Sequence, residues 1–122
     1  MTKKKIHEIF ISFRFGTAMT EARALQSELL DAGVNAFICD QEVGGNICEL
    51  VVHKLNEAKL IVVLGTGDYG VPGTVKFSTR EEMQNFMESG KDVFLIKMCQ
   101  IFVDEITQHY FQNLAYHQWG LG

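Results

Sequence analysis

One proline stands in 122 residues, and the three cysteines are odd in number and lack CxxC spacing. A disulfide framework and a thiolate zinc site are both disfavoured, since each needs cysteines in suitable pairs. The histidines His7, His53, His109 and His117 lie far apart and add no ligand pattern, so no metal is expected. No apolar run reaches the length of a membrane span. The opening Met1-Thr2-Lys3-Lys4-Lys5 leads into a segment broken by His7 and Glu8 instead of an apolar signal core. Repeats, linkers and low-complexity tracts are missing as well. The chain reads as soluble, untargeted and cytoplasmic.

Positive charge is also scarce, with 11 Lys and Arg against 15 Asp and Glu. The net charge of −4 offers no basic field to nucleic acid or to anionic lipid, so neither is expected as a partner. Lys3-Lys4-Lys5 is too short a run to neutralise many phosphates and reads as a solvated tail. Apolar side chains, by contrast, make up 47% of the chain, enough for the core of one domain spanning residues 1–122.

Strand and helix patterns alternate along the sequence. Residues 6–13 read as a strand that stops at Arg14 and Gly16. Residues 17–32 read as a helix with Ala22, Leu25, Leu29 and Ala32 on one face and Gly33 as its stop. A short buried strand at 34–38 leads through a polar loop at 39–45 to a second helix. Asn46 is its expected cap, Glu49 completes a capping box, and Ile47, Leu50, Val51, Leu55 and Ala58 form its stripe. Residues 60–64 are continuous, apolar and β-branched, as in a central parallel strand covered on both faces. A loop at 65–77 precedes a helix that turns Met83, Phe86 and Met87 inward and ends at Gly90. A strand at 93–96, a short helix at 103–111 and a weak strand at 114–117 complete the pattern. Five alternations with short connections specify an α/β, doubly wound, flavodoxin-like five-stranded parallel sheet with helices on both faces. Such a sheet binds ligands beyond the carboxyl ends of its strands, here near Arg14 and the loop after Leu64.

Several motifs invite other readings. Gly65-Thr66-Gly67-Asp68-Tyr69-Gly70 fits GxGxxG, but a dinucleotide fingerprint needs a helix that opens inside the motif. Val71-Pro72-Gly73 breaks the chain there, and the next strand ends at Lys97 and not at an acidic residue, so a plain flexible loop is expected. A phospho-acceptor receiver domain needs acidic residues where Phe13-Arg14 and Gly65-Thr66 stand. Cys48 lies in a first helical turn, where the helix dipole favours thiolate. With no histidine beside it in sequence, ordinary packing is its expected role. Tyr116, His117 and Trp119 read as an aromatic patch closing over the sheet.

Glu81 and Glu82 form the sharper case. Ser78 with Glu81, or Thr79 with Glu82, makes a capping box, and only one of the two can form. If Ser78 caps through Glu81, then Phe77 and Glu82 occupy the positions where a hydrophobic staple wants two apolar groups. A carboxylate there gains nothing for folding, which points Glu82 towards function, although acidic first turns are also common for dipole reasons.

These residues resemble a TIR domain, the Toll/interleukin receptor signalling and NAD-cleaving family, from Ile6 to about Trp119. The carriers are Phe10-Ile11-Ser12-Phe13-Arg14 as first-strand box and Phe37-Ile38-Cys39-Asp40 leading into Gly44-Gly45-Asn46-Ile47 as the BB loop. Ile61-Val62-Val63-Leu64 with Tyr69 beyond it is the third. The family's catalytic glutamate lies eight residues before a Gly-Lys that precedes the fourth strand, and here Gly90-Lys91 places it at Glu82. The chain departs from the family in having Gly65 where a serine often follows the third strand, and Phe77-Ser78 where an aromatic-cysteine pair is common.

The resemblance implies an NAD+ nucleosidase that takes NAD+ as substrate and needs no further cofactor. Glu82 would be the catalytic carboxylate and Arg14 would hold phosphate. Phe13 or Phe15 would pack on a ring, and Gly16, Asp40, Asn46 and Phe77 would complete the substrate contacts, with the loop at 40–46 closing over the site. It equally implies homotypic TIR–TIR association through Val43, Gly44, Gly45 and Ile47. In the rival reading that association is the whole function, and the domain is a non-catalytic scaffold in which Glu82 merely caps a helix.

Overall fold

The sheet and its four helices are seen in a computed structural model that describes residues 8–14, 17–39, 46–71 and 79–118, with side chains in the second helix from residue 49 onward. The expectations for Phe15, Gly16, Asp40, Val43, Gly44, Gly45, Phe77, Ser78 and Trp119 lie outside the described residues, as do the side chains of Asn46, Ile47 and Cys48. The strands are β1 (Ile9–Ser12), β2 (Ala36–Phe37), β3 (Leu60–Gly65), β4 (Asp92–Lys97) and β5 (Tyr116–Gln118). The helices are α1 (Met19–Asp31), α2 (Asn46–Glu57), α3 (Thr79–Glu88) and α4 (Glu105–Phe111). All pairings are parallel and the order is β2-β1-β3-β4-β5, the doubly wound flavodoxin-like arrangement. No helix among the described residues is long and apolar enough to cross a membrane.

Period-two alternation along the strands divides the core into two layers. Phe10, Ile61, Val63 and Leu95 face a layer built by Val51, Leu55, Met83, Phe86 and Phe111, from α2, α3 and α4. Ile11, Val62 and Leu64 face the opposite layer, where Ala18 and Ala22 pack with Phe13 and Ile38. Burial on both faces is why β3 reads as an unbroken apolar run. The alternation also assigns Ser12, two residues after Phe10, to the α3 side.

The strand order reverses between β1 and β3, and this switch point is where the carboxyl edge of an open sheet forms a crevice. Three contacts tie neighbouring elements together, the first at the amino edge of the sheet and the other two between α3 and α4 and at the start of α4. Lys91 Nζ donates to the carbonyls of Asn56 (2.9 Å) and Ala58 (2.6 Å), satisfying the end of α2 from the start of β4. Arg80 Nη2 pairs with Asp104 Oδ1 at 2.6 Å, joining α3 to α4. Asp104 in turn caps α4 by accepting from the Thr107 amide at 2.9 Å. Burial works against the Asp104 charge, but the two Thr107 hydrogen bonds and Arg80 hold its carboxyl below the usual value.

Several expectations are corrected. Ala32 is exposed at the C-cap of α1, past its last helical residue, and Leu50 is 43% exposed because the buried face of α2 runs through Val51 and Leu55 and turns Leu50 away. The Tyr116 and His117 side chains do not close over the sheet: β5 is exposed along its length, and His117 stacks on the half-exposed Phe94 at 4.8 Å. The GxGxxG loop is packed. Thr66 Oγ1 donates to Asp68 Oδ1 at 2.6 Å, and Tyr69 is fully buried.

Gly70 is the tightest point of this loop. Its φ is +82°, and an added Cβ would lie 1.9 Å from Thr107 Oγ1. Gly33 shares the backbone conformation, with φ +83°, but has open space around it. Gly70→Ala is therefore expected to lower unfolding free energy by about 2–4 kcal/mol in urea titrations, strain and overpacking combined, against about 1 kcal/mol for Gly33→Ala.

Candidate active site

The buried residues of α3 are Thr79, Glu82, Met83 and Phe86. Their i, i+3, i+4, i+7 spacing is that of a core-facing stripe, so a carboxyl occupies a position that the helix otherwise gives to apolar groups. Glu82 is 6% exposed. Ser12 Oγ, at the end of β1, donates to Glu82 Oε1 at 2.7 Å, and the Tyr69 hydroxyl lies 2.5 Å from the same Ser12 Oγ. Strand end, loop and helix start therefore meet at the switch point, on the α3 side of the sheet.

Each partner is itself held. Thr107 Oγ1 shares its proton between the Tyr69 carbonyl and Asp104 Oδ2, each at 3.0 Å, and the Tyr69 ring packs against Phe111 with centroids 5.8 Å apart. The next amide, of Gly70, donates to Thr79 Oγ1 at 3.0 Å, fastening the loop to the first residue of α3. Arg80 Nε donates to the Gly70 carbonyl at 3.0 Å. The residues that set Glu82 in place thus come from β1, the β3–α3 loop, α3 and α4.

Burial is the main influence on the Glu82 carboxyl and pushes it up to about 8; the Ser12 hydrogen bond opposes the shift and the neighbouring Glu81 charge adds to it. Burial, with Glu82 beside it, also raises Tyr69 well above its ordinary value, so its hydroxyl keeps its proton while Glu82 titrates. A carboxylic acid poised near neutrality at the carboxyl edge of an α/β sheet is a group that changes charge on demand.

Arg14 stands at the same edge. Its Nη1 donates to the carbonyls of Val71 (2.8 Å) and Asp68 (3.2 Å), and its Nε pairs with Asp68 Oδ2 at 3.3 Å. The guanidinium fastens the loop that carries Tyr69. Phe13 is packed into the α1 layer, on the side of the sheet opposite Glu82. Asn46 is the first residue of α2. Among the described residues no three His, Cys, Asp or Glu side chains cluster as metal ligands.

Ser12 and Tyr69 are the site residues that the sequence pattern alone passes over as chemistry. A signal for Ser12 exists: it is a lone polar side chain on the face of β1 that Phe10 places in the core. Tyr69 carries none, because its hydroxyl reaches Ser12 only through the path of the β3–α3 loop.

No family model and no curated protein matches this sequence. Among solved structures, the chain is similar to the TIR domain of the Toll-related receptor TRR-2 from the lower metazoan Hydra magnipapillata. The TM-score is 0.68 at 14% identity, over 93% of this chain and 84% of that one. At that identity the likeness establishes the fold.

Because the folded carboxyl of Glu82 holds its proton up to about 8, against an ordinary value of 4.5, its contribution to stability is full below 4.5 and is lost as pH rises through 8. Replacing the acid by a neutral amide removes that dependence. Between pH 5 and 8 the unfolding free energy of the wild type is expected to fall, relative to Glu82→Gln, with a slope approaching ~1.4 kcal/mol per pH unit, measured by urea denaturation at each pH.

Proposed function

We propose that this chain, whose fold is that of a TIR domain, is an NAD+ nucleosidase that releases nicotinamide together with ADP-ribose or a cyclic isomer of it. The observation that supports this reading is Glu82, a carboxyl carried on the buried stripe of a helix to the switch-point edge, held by Ser12 and poised near neutrality. Folding alone would be better served there by an apolar residue.

In the reaction the bond between the ribose C1′ and the nicotinamide nitrogen breaks, and its electron pair leaves with the base. The leaving group is neutral, so little acid catalysis is required. The positive charge moves to the ribose, and a desolvated carboxylate beside that carbon stabilises it directly. A cationic substrate arriving next to Glu82 favours its ionised form, which is how an acid that is largely protonated at rest becomes the carboxylate the chemistry needs. Water then attacks C1′ and loses a proton to give ADP-ribose, or a nucleophile within the same molecule closes a ring. Arg14 is suited to the diphosphate by its guanidinium geometry, which it would engage in exchange for part of its hold on the Asp68–Val71 segment.

A second role, homotypic TIR–TIR association, is favoured by Leu50, which α2 presents to solvent next to the expected BB loop. The two roles combine if association completes the site, with the loop residues Val43, Gly44, Gly45 and Ile47 at the contact.

Incubation of the concentrated protein with NAD+ is expected to release nicotinamide, with a fall of at least ~100-fold in Glu82→Ala. kcat/KM should rise with pH through about 8, as Glu82 ionises. Specific activity should increase with protein concentration. Release that is equal in wild type and variant, or absent from both in forced oligomers, would leave the scaffold role standing instead.

A further inference from the structure

A buried tyrosine hydroxyl, a buried serine and a buried carboxyl form a linear chain: Tyr69 Oη lies 2.5 Å from Ser12 Oγ, and Ser12 Oγ lies 2.7 Å from Glu82 Oε1. Ser12 and Tyr69 are both 0% exposed. A serine has one proton to donate. When it is given to Glu82, Tyr69 must donate to Ser12, and both hydroxyl dipoles then point at the carboxylate. When Glu82 is protonated on Oε2, its Oε1 still accepts from Ser12, so the chain keeps the same direction with no heavy atom moving. The chain satisfies either charge state of Glu82.

We propose that Ser12 and Tyr69 are positioning residues for Glu82, a two-hydroxyl relay that fixes Oε1, leaves Oε2 to the reacting ribose and sets the charge state in which the carboxyl meets its substrate. The proposal rests on the reading of Glu82 as the reacting group. Its support is the convergence of three elements on one Oγ atom and the rigidity of the two donors. Tyr69 is anchored by Thr107 and Phe111, and Ser12 is held in the β1–β3 ladder opposite Val63. The relay also acts in a definite direction. The Ser12 hydrogen bond favours the ionised form of Glu82, against burial and the Glu81 charge, and Tyr69 stays a proton donor throughout because its own ionisation is pushed out of range. Among the described residues, the charged and titratable groups facing Glu82 are Glu81 on its own helix and Tyr69 on the β3–α3 loop; Ser12 meets it from β1.

The test titrates Glu82 without substrate, by carboxyl 13C NMR of protein labelled at the glutamate side-chain carbon, with the resonance assigned by its disappearance in Glu82→Gln. Ser12→Ala is expected to raise the Glu82 midpoint by about one pH unit, Ser12→Thr to restore it, and Tyr69→Phe, which keeps the ring packing, to give a smaller rise in the same direction. NAD+ cleavage by the same proteins should then be about tenfold lower in Ser12→Ala at pH 7 and recover as pH is raised, whereas a merely structural defect lowers activity equally at every pH. A midpoint unchanged in folded Ser12→Ala and Tyr69→Phe would overturn the relay even if NAD+ is cleaved. Should Ser12→Ala not fold, Tyr69→Phe decides by the same titration. A shifted midpoint with no cleavage by the wild type would establish the relay while overturning the nucleosidase reading, and with it the relay's part in that reaction.

Discussion

A carboxylic acid on the apolar stripe of a helix must find hydrogen-bond partners inside the protein, because burying it unpaired is costly whether it is charged or neutral. In this chain that constraint governs the switch-point edge. Glu82 is satisfied by Ser12, and Ser12 is completed by Tyr69. Tyr69 is placed by a loop that only glycine at position 70 allows to pass so close to Thr107. The same loop is tied to α3 through Thr79 and Arg80, and to β1 through Arg14. Removing the acid from α3 would leave a buried serine and tyrosine with one partner fewer.

The arrangement also explains why residues 66–71 after β3 are packed although glycines stand among them. Glycine permits the path, and the surrounding donors and acceptors select it. Thr66 with Asp68, Arg14 with the Asp68 and Val71 carbonyls, and Thr107 with the Tyr69 carbonyl leave the backbone of this segment little freedom. Arg14 therefore has structural work at the site whatever it does with a phosphate. That is a physical reason for an arginine, with its several donors in a planar fork, to stand at the end of β1 where a lysine could not make the same set of bonds.

For an enzyme of the proposed kind, a carboxyl near neutrality reconciles two demands. The resting protein is more stable with the acid protonated in its dry setting. The reaction needs the anion only when a cation is beside it. Hydroxyl partners suit both states because they can donate or accept, whereas a lysine or arginine at the Ser12 position would hold Glu82 ionised and bind it as a permanent ion pair.

The sequence by itself determined the α/β class, the five strands, the four helices and, through the unbroken apolar run of β3, which strand is central. These follow from local periodicity, which short-range sterics and burial dictate. For Glu82 the limits of capping only pointed towards function, since two S/T-x-x-E boxes cannot form at one helix start; its place as the catalytic candidate came from the resemblance, eight residues before Gly90-Lys91. The exposure of Leu50, the packing of Phe13 away from Glu82 and the order of the GxGxxG loop were not legible, because each depends on which side of the sheet an element lands. Only the tertiary structure brought Ser12, Tyr69 and Glu82 together, from positions 57 and 70 residues apart along the chain. Pairing β1 beside β3 and crossing α3 over that face is a property of the whole sheet, and no window of sequence contains it.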